Sequence, residues 1–534
     1  MYKRLFYTQL SAVVLISCML LASGCTKFLT HDDPSGVTDD LWWNTETDAT
    51  NALNTVYAGI PDGTSGRQMM YWAGLSDEAV TRGDYKGEYD EFTKQLQNSS
   101  WGVALNIWQD DYIDIRRANR FLENVDKCFM DPQLKARMKL EARALRAYYH
   151  MELLMFFGNI PLVTQSITPK ENHLARDSAE KVYQFIVSEL QACADSLPVT
   201  YDNSDNWRIN SGACEALIAR LALYYHHYDQ AKAAAADVID SKAYQLYHST
   251  DGGNSYQELF SYAGELNSER IFFSPNGCGS AWTTFAPFGI GGEVHVAPTA
   301  AIVNLYETRQ GKTIQELGPD SAKIYEEHPD YNGNRDPRLA ASIFYPGEKF
   351  QNTYVLDPFN NPSDKIGAPK STPSGFWISK YLDAKDMQKK SGTLDFMIVR
   401  YAEVLLDYAE SLVELGDWQN PDVVDCLDQI RERAGMPDVN TAEYNSQQKM
   451  RELVRRERTI ELAFEGQRYF DIRRWGIANE VMNGTVYGAT NPETGQVTVV
   501  EDRKYDPNRD SLWPIPLGEL NANPNMVQNP GYNN

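Results

Sequence analysis

The sequence predicts a mainly α-helical protein in which pairs of helices form a scaffold, joined to a large loop-rich region that carries short strands. Two observations support this prediction. Apolar side chains recur at helical spacing in neighbouring segments within about residues 103–241 and 395–476. From about residue 274 to 394 the chain is instead rich in Gly, Pro, Asn and aromatic residues, with little periodicity. We expect the ligand site in this loop-rich region.

The first helix pair is predicted between residues 213 and 241. Two apolar stripes are separated by a tight turn, and alanines dominate the second stripe, which lets the helices approach closely. The stripes are Leu217, Leu221, Tyr224 and Tyr228, then Ala231, Ala235 and Val238. A pair of about 34 residues with an Ala-rich second helix resembles a tetratricopeptide repeat. Stacked pairs of this kind form a scaffold because each unit buries its apolar face against its neighbours.

The second helix pair, between residues 398 and 435, also carries signals for its ends. Gly416 is predicted to end the first helix, and Gly435 the second. Asn420 is a predicted N-cap, with Pro421 at the first helical position. The stripe of the first helix is Ile398, Tyr401, Leu405, Tyr408, Leu412 and Leu415. We therefore expect a second tetratricopeptide-like unit here.

The loop-rich region contains many large aromatic residues. Loops of this length inside a compact protein are usually functional or disordered. Disordered segments are poor in aromatic residues, which argues for functional loops. The aromatic residues are Trp282, Phe285, Phe288, Tyr331, Phe344, Tyr354, Phe359 and Trp377.

The N-terminus has the layout of an export signal. Basic residues are followed by a mostly apolar run over residues 10–21 and by small residues before Cys25. About 12 apolar residues are too few for a membrane-spanning helix, which needs ~20. We therefore expect residues 1–24 to be removed, a lipid on Cys25 to hold the protein on a membrane, and residues 25–45 to form a tether. Lipidation of Cys18, or secretion without a lipid, are the alternatives.

The charge and the motif content exclude several functions. Acidic residues number 73 against 50 basic residues, and the net charge of -23 repels phosphate backbones, so we do not expect a nucleic-acid ligand. Five cysteines remain after Cys25, without the close spacing of zinc or redox motifs. Motifs of zinc proteases, serine hydrolases and phosphate-binding loops are missing from the sequence. We predict no cofactor, no metal site and no enzymatic activity.

Several segments together resemble the SusD/RagB family, the surface glycan-binding lipoproteins that partner TonB-dependent outer-membrane transporters in Bacteroidetes. These segments follow one another along nearly the whole chain and are Ala52–Tyr57, Asn334–Leu339, Arg400–Leu406, Glu457–Asp471 and Trp513–Pro516. The resemblance implies a single body over residues 46–534, lipid-anchored and exposed at the cell outer membrane. It also implies an oligosaccharide or polysaccharide ligand, and a SusC-like TonB-dependent transporter as partner.

Three carboxylates near the C-terminus are predicted to be structural. Glu457, Glu461 and Glu465 lie four residues apart on one predicted helix, where they repel one another unless paired. The expected partners are the arginines nearby in sequence, which are Arg458, Arg468, Arg473 and Arg474. We therefore interpret this segment as part of an ion-pair network and not as a catalytic site.

Two segments combine aromatic and polar residues in the way a sugar site requires. Sugars present flat arrays of C–H groups edged by hydroxyls, so a site needs exposed aromatic faces and a polar rim. Trp101, Trp282 and Phe285 are predicted to stack on the sugar, and Asp77 and Arg82 to donate or accept hydrogen bonds. The candidate ligand-binding residues are Trp72, Asp77, Arg82, Tyr85, Trp101, Trp282 and Phe285.

Two other functions stay open at this point. Aromatic loops serve a peptide as well as a sugar, so a RagB-like receptor for peptides or other oligomers is the alternative function. A glycoside hydrolase needs two carboxylates across a cleft, and among 73 acidic residues the sequence does not identify such a pair. The hydrolase is therefore a distant alternative.

Trp72 follows two methionines and suits the core as well as a ligand site.

Overall fold

The computed structural model describes residues 42–65, 67–83, 88–168, 171, 173–201 and 204–532. Its helices are α1 (Glu46–Tyr57), α2 (Glu88–Thr93), α3 (Gly102–Asn124), α4 (Pro132–Phe157), α5 (Ala179–Ala194), α6 (Ser211–Tyr224), α7 (Tyr228–Asp240), α8 (Ser255–Leu259), α9 (Ala281–Phe285), α10 (Ala300–Leu305), α11 (Pro319–Glu327), α12 (Pro337–Ser342), α13 (Tyr401–Glu414), α14 (Pro421–Arg433), α15 (Gln447–Glu461), α16 (Arg468–Arg474), α17 (Ala478–Val481), α18 (Pro507–Asp510) and α19 (Leu517–Ala522). The predicted mainly helical fold is confirmed.

The strands are short and pair two by two in antiparallel fashion. They are β1 (Ala79–Thr81), β2 (Arg270–Ser274), β3 (Val296–Pro298), β4 (Ile343–Phe344), β5 (Lys349–Phe350), β6 (Tyr354–Val355), β7 (Trp377–Ile378), β8 (Phe396–Arg400), β9 (Gly484–Thr490) and β10 (Val497–Arg503). The pairs are β1 with β3, β2 with β8, β4 with β7, β5 with β6, and β9 with β10. The β1–β3 pair joins an early segment to the loop-rich region.

Both predicted helix pairs are present, and they pack on each other. Helix α6 packs against α7, α13 packs against α14, and α7 also contacts α13. Two details of the prediction are wrong. Tyr228 begins α7 and does not continue the stripe of α6, because the chain turns at His226, whose φ is +61°. Ile398 lies in strand β8 and not in α13.

The predicted ends of the second helix pair are observed. The side chain of Asn420 accepts a hydrogen bond of 3.1 Å from the backbone N–H of Asp422, and Pro421 is the first residue of α14. Gly416 and Gly435 follow the two helices with φ of +87° and +73°, the left-handed region that glycine adopts without strain. Local sequence signals therefore set these helix ends.

One large hydrophobic cluster contains side chains from Trp43 to Met526. A smaller cluster joins Val80 of β1 to five residues of the loop-rich region, which are Val294, Ala297, Phe344, Leu356 and Trp377. Much of the aromatic content of the loops is thus used for packing. Among the described residues, none of the helices is long and apolar enough to span a membrane. The predicted signal segment and Cys25 lie outside the described residues.

A buried ion-pair network connects α13, α15 and the strands before them. Arg400 contacts three carboxylates, those of Glu461 at 2.7 Å, Glu465 at 2.7 Å and Glu269 at 2.8 Å. Arg433 also pairs with Glu461, and Arg338 lies 3.0 Å from its second oxygen. Burial raises the pKa of the Glu461 carboxyl, but the three guanidinium groups outweigh burial and hold that pKa well below its usual range.

The ion pairs exist, but the partners predicted from nearby sequence positions are wrong. Glu457 pairs with Arg338 and Arg431, which approach from other segments of the chain. The arginines close in sequence bind elsewhere, and Arg458, for example, contacts Asp407 and Asp471. Glu457 and Glu461 lie on α15, but Glu465 follows the end of that helix, so the prediction of one helix for all three is also wrong. Long-range packing and not sequence distance selects the partners.

Candidate ligand-binding surface

The aromatic residues predicted to stack on a ligand lie in the core. Trp101 is 1% exposed at the start of α3, where it stacks on Phe92 at 6.0 Å between ring centroids and meets the edge of Trp513 at 4.7 Å. Trp282 is also 1% exposed, and its indole N–H donates to the carbonyl of Ile290 at 3.1 Å. Neither ring offers a free face, so the prediction that they stack on a sugar is corrected.

Trp72 and Phe285 are buried in the same way. The indole of Trp72 meets the rings of Phe156 and Phe470 edge to face, with centroids 5.2 and 5.9 Å apart. Phe285 is fully buried and packs on Tyr71 at 6.0 Å. Edge-to-face packing of this kind stabilises an aromatic core. Neither ring offers a free face, so the prediction that Trp72 and Phe285 bind the ligand is corrected.

The polar candidates have different locations. Asp77 forms a bidentate ion pair with Arg468, with oxygen–nitrogen distances of 2.7 and 2.8 Å, and this pairing gives it a structural role. Arg82, directly after β1, donates its backbone N–H to the carbonyl of His295 at 2.9 Å and its guanidinium to the carbonyl of Glu293. Tyr85 lies outside the described residues. Arg82 therefore connects the end of β1 to the loop that contains Glu293 and His295.

The loop held by Arg82 exposes one aromatic ring. Phe288 is 41% exposed at the start of a single helical turn, Phe288–Ile290, that follows α9. Its neighbour Gly289 approaches the Tyr354 hydroxyl so closely that a Cβ there would lie 1.5 Å from the oxygen. Gly291 has a φ of +96°, which turns the chain back toward Glu293. The glycines therefore let the backbone fold tightly and leave the Phe288 ring outside.

A buried carboxylate fixes this loop. Asp364 accepts the backbone N–H of Gly289 at 3.0 Å with one oxygen and the Tyr354 hydroxyl at 2.5 Å with the other. The Asn361 amide donates to the same tyrosine oxygen at 2.9 Å. Burial and the hydrogen bond to Asp364 raise the pKa of Tyr354 above its ordinary value. The position of the Phe288 turn is therefore set before any ligand arrives.

Charged side chains lie along the same loop. Lys370 contacts Glu293 at 2.5 Å, and this hydrogen bond lowers the pKa of the Glu293 carboxyl. The stem of Lys390 lies against Gly291, where a Cβ would be 3.1 Å from the lysine Cε. We define the Phe288 surface as Arg82, Phe288, Glu293, Tyr354, Asn361, Lys370 and Lys390. It combines one exposed ring with donors and acceptors of both charges, which suits a hydroxyl-rich ligand with an apolar face.

Phe288 is one of the predicted loop aromatic residues, but the stacking prediction selects Trp282 and Phe285, which are buried. Phe288 stands in the run Phe288-Gly289-Ile290-Gly291-Gly292, in which three of the four following residues are glycines and have no side chain to cover the ring. Trp282 and Phe285 precede it on α9, which packs inward. An aromatic residue among glycines was the signal for exposure.

Among the described residues, no group of three or more His, Cys, Asp or Glu side chains is arranged to hold a metal ion.

Comparisons with known proteins agree along the whole chain. The model of the SusD family matches residues 240–532, and a second family model, described as starch-binding associating with outer membrane, matches residues 36–223. The SusD-like protein P38 of Formosa agariphila is 24% identical over 559 residues, covering 99% of this chain and all of that protein. The SusD-like protein P2 of the same organism is 26% identical and covers 97% of this chain and 99% of its own.

Solved structures show the same architecture. A SusD-like carbohydrate binding protein from Bacteroides fragilis superposes with a TM-score of 0.81 at 28% identity, covering 91% of this chain and 100% of the other. A second SusD-like protein from that organism also gives 0.81, at 26% identity, with 93% and 99% covered. Because one family model alone matches more than half of the residues, the chain belongs to the SusD family.

Proposed function

We propose that this protein is a cell-surface glycan receptor that captures oligosaccharides on the Phe288 surface and delivers them to a SusC-like TonB-dependent transporter. The observation that supports this most is the exposed Phe288 ring on a loop fixed from behind by Asp364. Family membership adds support, since one matching family is described as starch-binding and a relative is named a carbohydrate binding protein. The proposed role is binding without catalysis.

The energetics of the surface fit reversible capture. A sugar stacked on Phe288 removes apolar area from water on both partners, which contributes about 1 to 3 kcal/mol. The exposed Lys370–Glu293 pair contributes less than about 1 kcal/mol, so sugar hydroxyls replace part of it at low cost. The Tyr354 and Asn361 side chains are already ordered, which limits the entropy lost on binding.

Titration of the purified protein with soluble oligosaccharides and with peptides of similar length tests this function. We expect saturable binding of at least one glycan class with a dissociation constant in about the micromolar range, and weaker binding of peptides. Calorimetry measures both ligand classes under one set of conditions. If peptides bind and no glycan does, the RagB-like alternative function is correct and the glycan receptor is not.

The proposed location rests on Cys25 and on the described outer-membrane association of the matching family. Several acyl chains on this residue are expected to anchor the protein lastingly, at about 0.8 kcal/mol per buried methylene. In the native host, mild detergent extraction should yield the parent protein together with a large outer-membrane barrel.

The Cys25→Ala variant should appear in the soluble fraction. A variant that still pellets with outer membrane at high salt contradicts lipidation at Cys25.

A further inference from the structure

A large cleft that shares no lining residue with the Phe288 surface lies at the C-terminal ends of helices α4 and α6. Its volume is about 840 Å³, compared with about 600 and 510 Å³ for two other cavities of the protein. The walls are formed by Gly158 and Asn159 after α4, by Tyr225 and His226 after α6, by the end of α16, and by residues 525–530. We call it the C-terminal cleft.

The C-terminal cleft differs from the rest of the protein in charge. Three arginines, Arg176, Arg473 and Arg474, line it together with His226, and none of its lining residues is acidic. This is unexpected in a chain with a net charge of -23. By contrast, the cavity of about 600 Å³ includes Glu519 among its lining residues. The cleft is therefore a local region of positive charge.

Two of these arginines have no carboxylate partner among the described residues. Arg176 donates to the backbone carbonyls of Asn159 and Val527 and to the side-chain oxygen of Asn529, each at 2.6 Å. Burial lowers the pKa of Arg176, as expected for a guanidinium without an opposite charge. It uses three of its five N–H groups in these contacts, so two remain for a ligand.

Arg473 also lacks a carboxylate partner among the described residues, although burial, which lowers its pKa, is outweighed by the neighbouring Tyr224 and Tyr469 hydroxyls, which raise it. Its guanidinium donates to the carbonyl of Met155 at 3.1 Å and to that of Ser511, and it lies over the ring of Tyr469 at 4.8 Å. Arg474 differs, because Glu410 and Asp471 neutralise it at 2.6 and 2.8 Å. The uncompensated positive charge of the cleft therefore comes from Arg176 and Arg473. Both residues are half-buried, and a partly desolvated charge without an ion partner is stabilised when an anion binds beside it.

We propose that the C-terminal cleft is a second binding site, for a small ligand that carries a carboxylate or a sulfate group. Arg176 and Arg473 bind the oxyanion, and the half-buried Tyr225 ring contacts the rest of the ligand. The volume accommodates one or two sugar-sized rings. This site does not depend on the proposed glycan function, because it shares no residue with the Phe288 surface.

Titration of the whole protein with glucuronate, sulfate and glucose tests the proposal. We expect glucuronate and sulfate to bind and glucose not to bind. Added chloride should lower the affinity for both anions. Arg176→Gln and Arg473→Gln should each raise the dissociation constant about tenfold or more, and Arg176→Lys should retain part of the affinity. Tighter binding of glucuronate than of sulfate would identify a sugar acid, and equal binding would identify recognition of the oxyanion alone.

Two control variants keep the result interpretable. Arg116→Gln removes an arginine from another cavity, where its guanidinium contacts the carbonyl of Ile167 at 3.4 Å, and should leave anion binding unchanged. Phe288→Ala should also leave it unchanged, which separates this site from the glycan site. Melting temperatures of all variants show whether they are folded. The proposal is overturned if neither anion binds, or if binding persists in folded Arg176→Gln and Arg473→Gln variants.

Discussion

Replacement of Arg400 by alanine is expected to lower the free energy of unfolding by about 3 to 5 kcal/mol. Arg400 is buried and contacts Glu269, Glu461 and Glu465. Arg433 still pairs with Glu269 and Glu461, and Lys380 with Glu465, so the variant leaves the buried network with one positive charge too few. Removing one partner from a buried ion pair costs more than the lost contact itself. Urea unfolding followed by circular dichroism measures the change.

An exposed ion pair provides the matched control for Arg400→Ala. Lys181 pairs with Asp177 at 2.6 Å on the surface, with the lysine side chain 63% exposed. Lys181→Ala should cost less than about 1 kcal/mol, since water replaces the lost partner. If Arg400→Ala lowers the free energy of unfolding as little as Lys181→Ala does, the buried network does not stabilise the fold as described.

Trp101→Ala is expected to lower the free energy of unfolding by about 3 to 5 kcal/mol, the usual cost of removing a large buried ring. The indole lies between Phe92 and Trp513, and its loss leaves a cavity that these rings cannot fill. Thermal unfolding should show a clearly lower melting temperature than that of the parent protein. Affinity for a glycan, measured on the fraction that stays folded, should be unchanged.

Trp42 is the matched control, because this tryptophan is 38% exposed at the edge of the described chain. Trp42→Ala should destabilise the protein by less than about 1 kcal/mol. A Trp101→Ala variant with parental stability and lost glycan binding would instead restore Trp101 as a ligand-stacking residue.

The fold was largely predictable from the sequence because its helices depend on local signals. The stripe around Leu405, the cap at Asn420 and the terminating Gly435 all lie within about thirty residues of one another. The ion-pair partners were not predictable in the same way. Glu461 selects Arg338 and Arg400, which are far away in sequence, over arginines on its own segment. Only the packing of distant elements decides such pairs.

The exposure of the candidate residues was predicted less well, because a residue in a loop is not always at the surface. The loop-rich region folds around the smaller cluster, in which Phe344 and Trp377 are buried, and α9 directs Trp282 inward. Aromatic residues in irregular segments are therefore used for packing first. Two aromatic residues of these loops stay at the surface, Phe288 at 41% and Tyr331 at 42% exposure, and three of the four residues that follow Phe288 are glycines. Arg82 is hydrogen-bonded to this loop system, and its predicted contact with a ligand stays a prediction.

Glycan affinity of Phe288→Ala, measured beside its melting temperature, tests the proposed binding surface most directly. We expect the dissociation constant to rise about tenfold or more for a glycan that the parent binds, while the melting temperature stays within about 1 °C. Phe129→Ala removes a phenylalanine that is 92% exposed elsewhere, and it should change neither quantity. Parental affinity in the folded Phe288→Ala variant would contradict the assignment of the Phe288 surface as the glycan site.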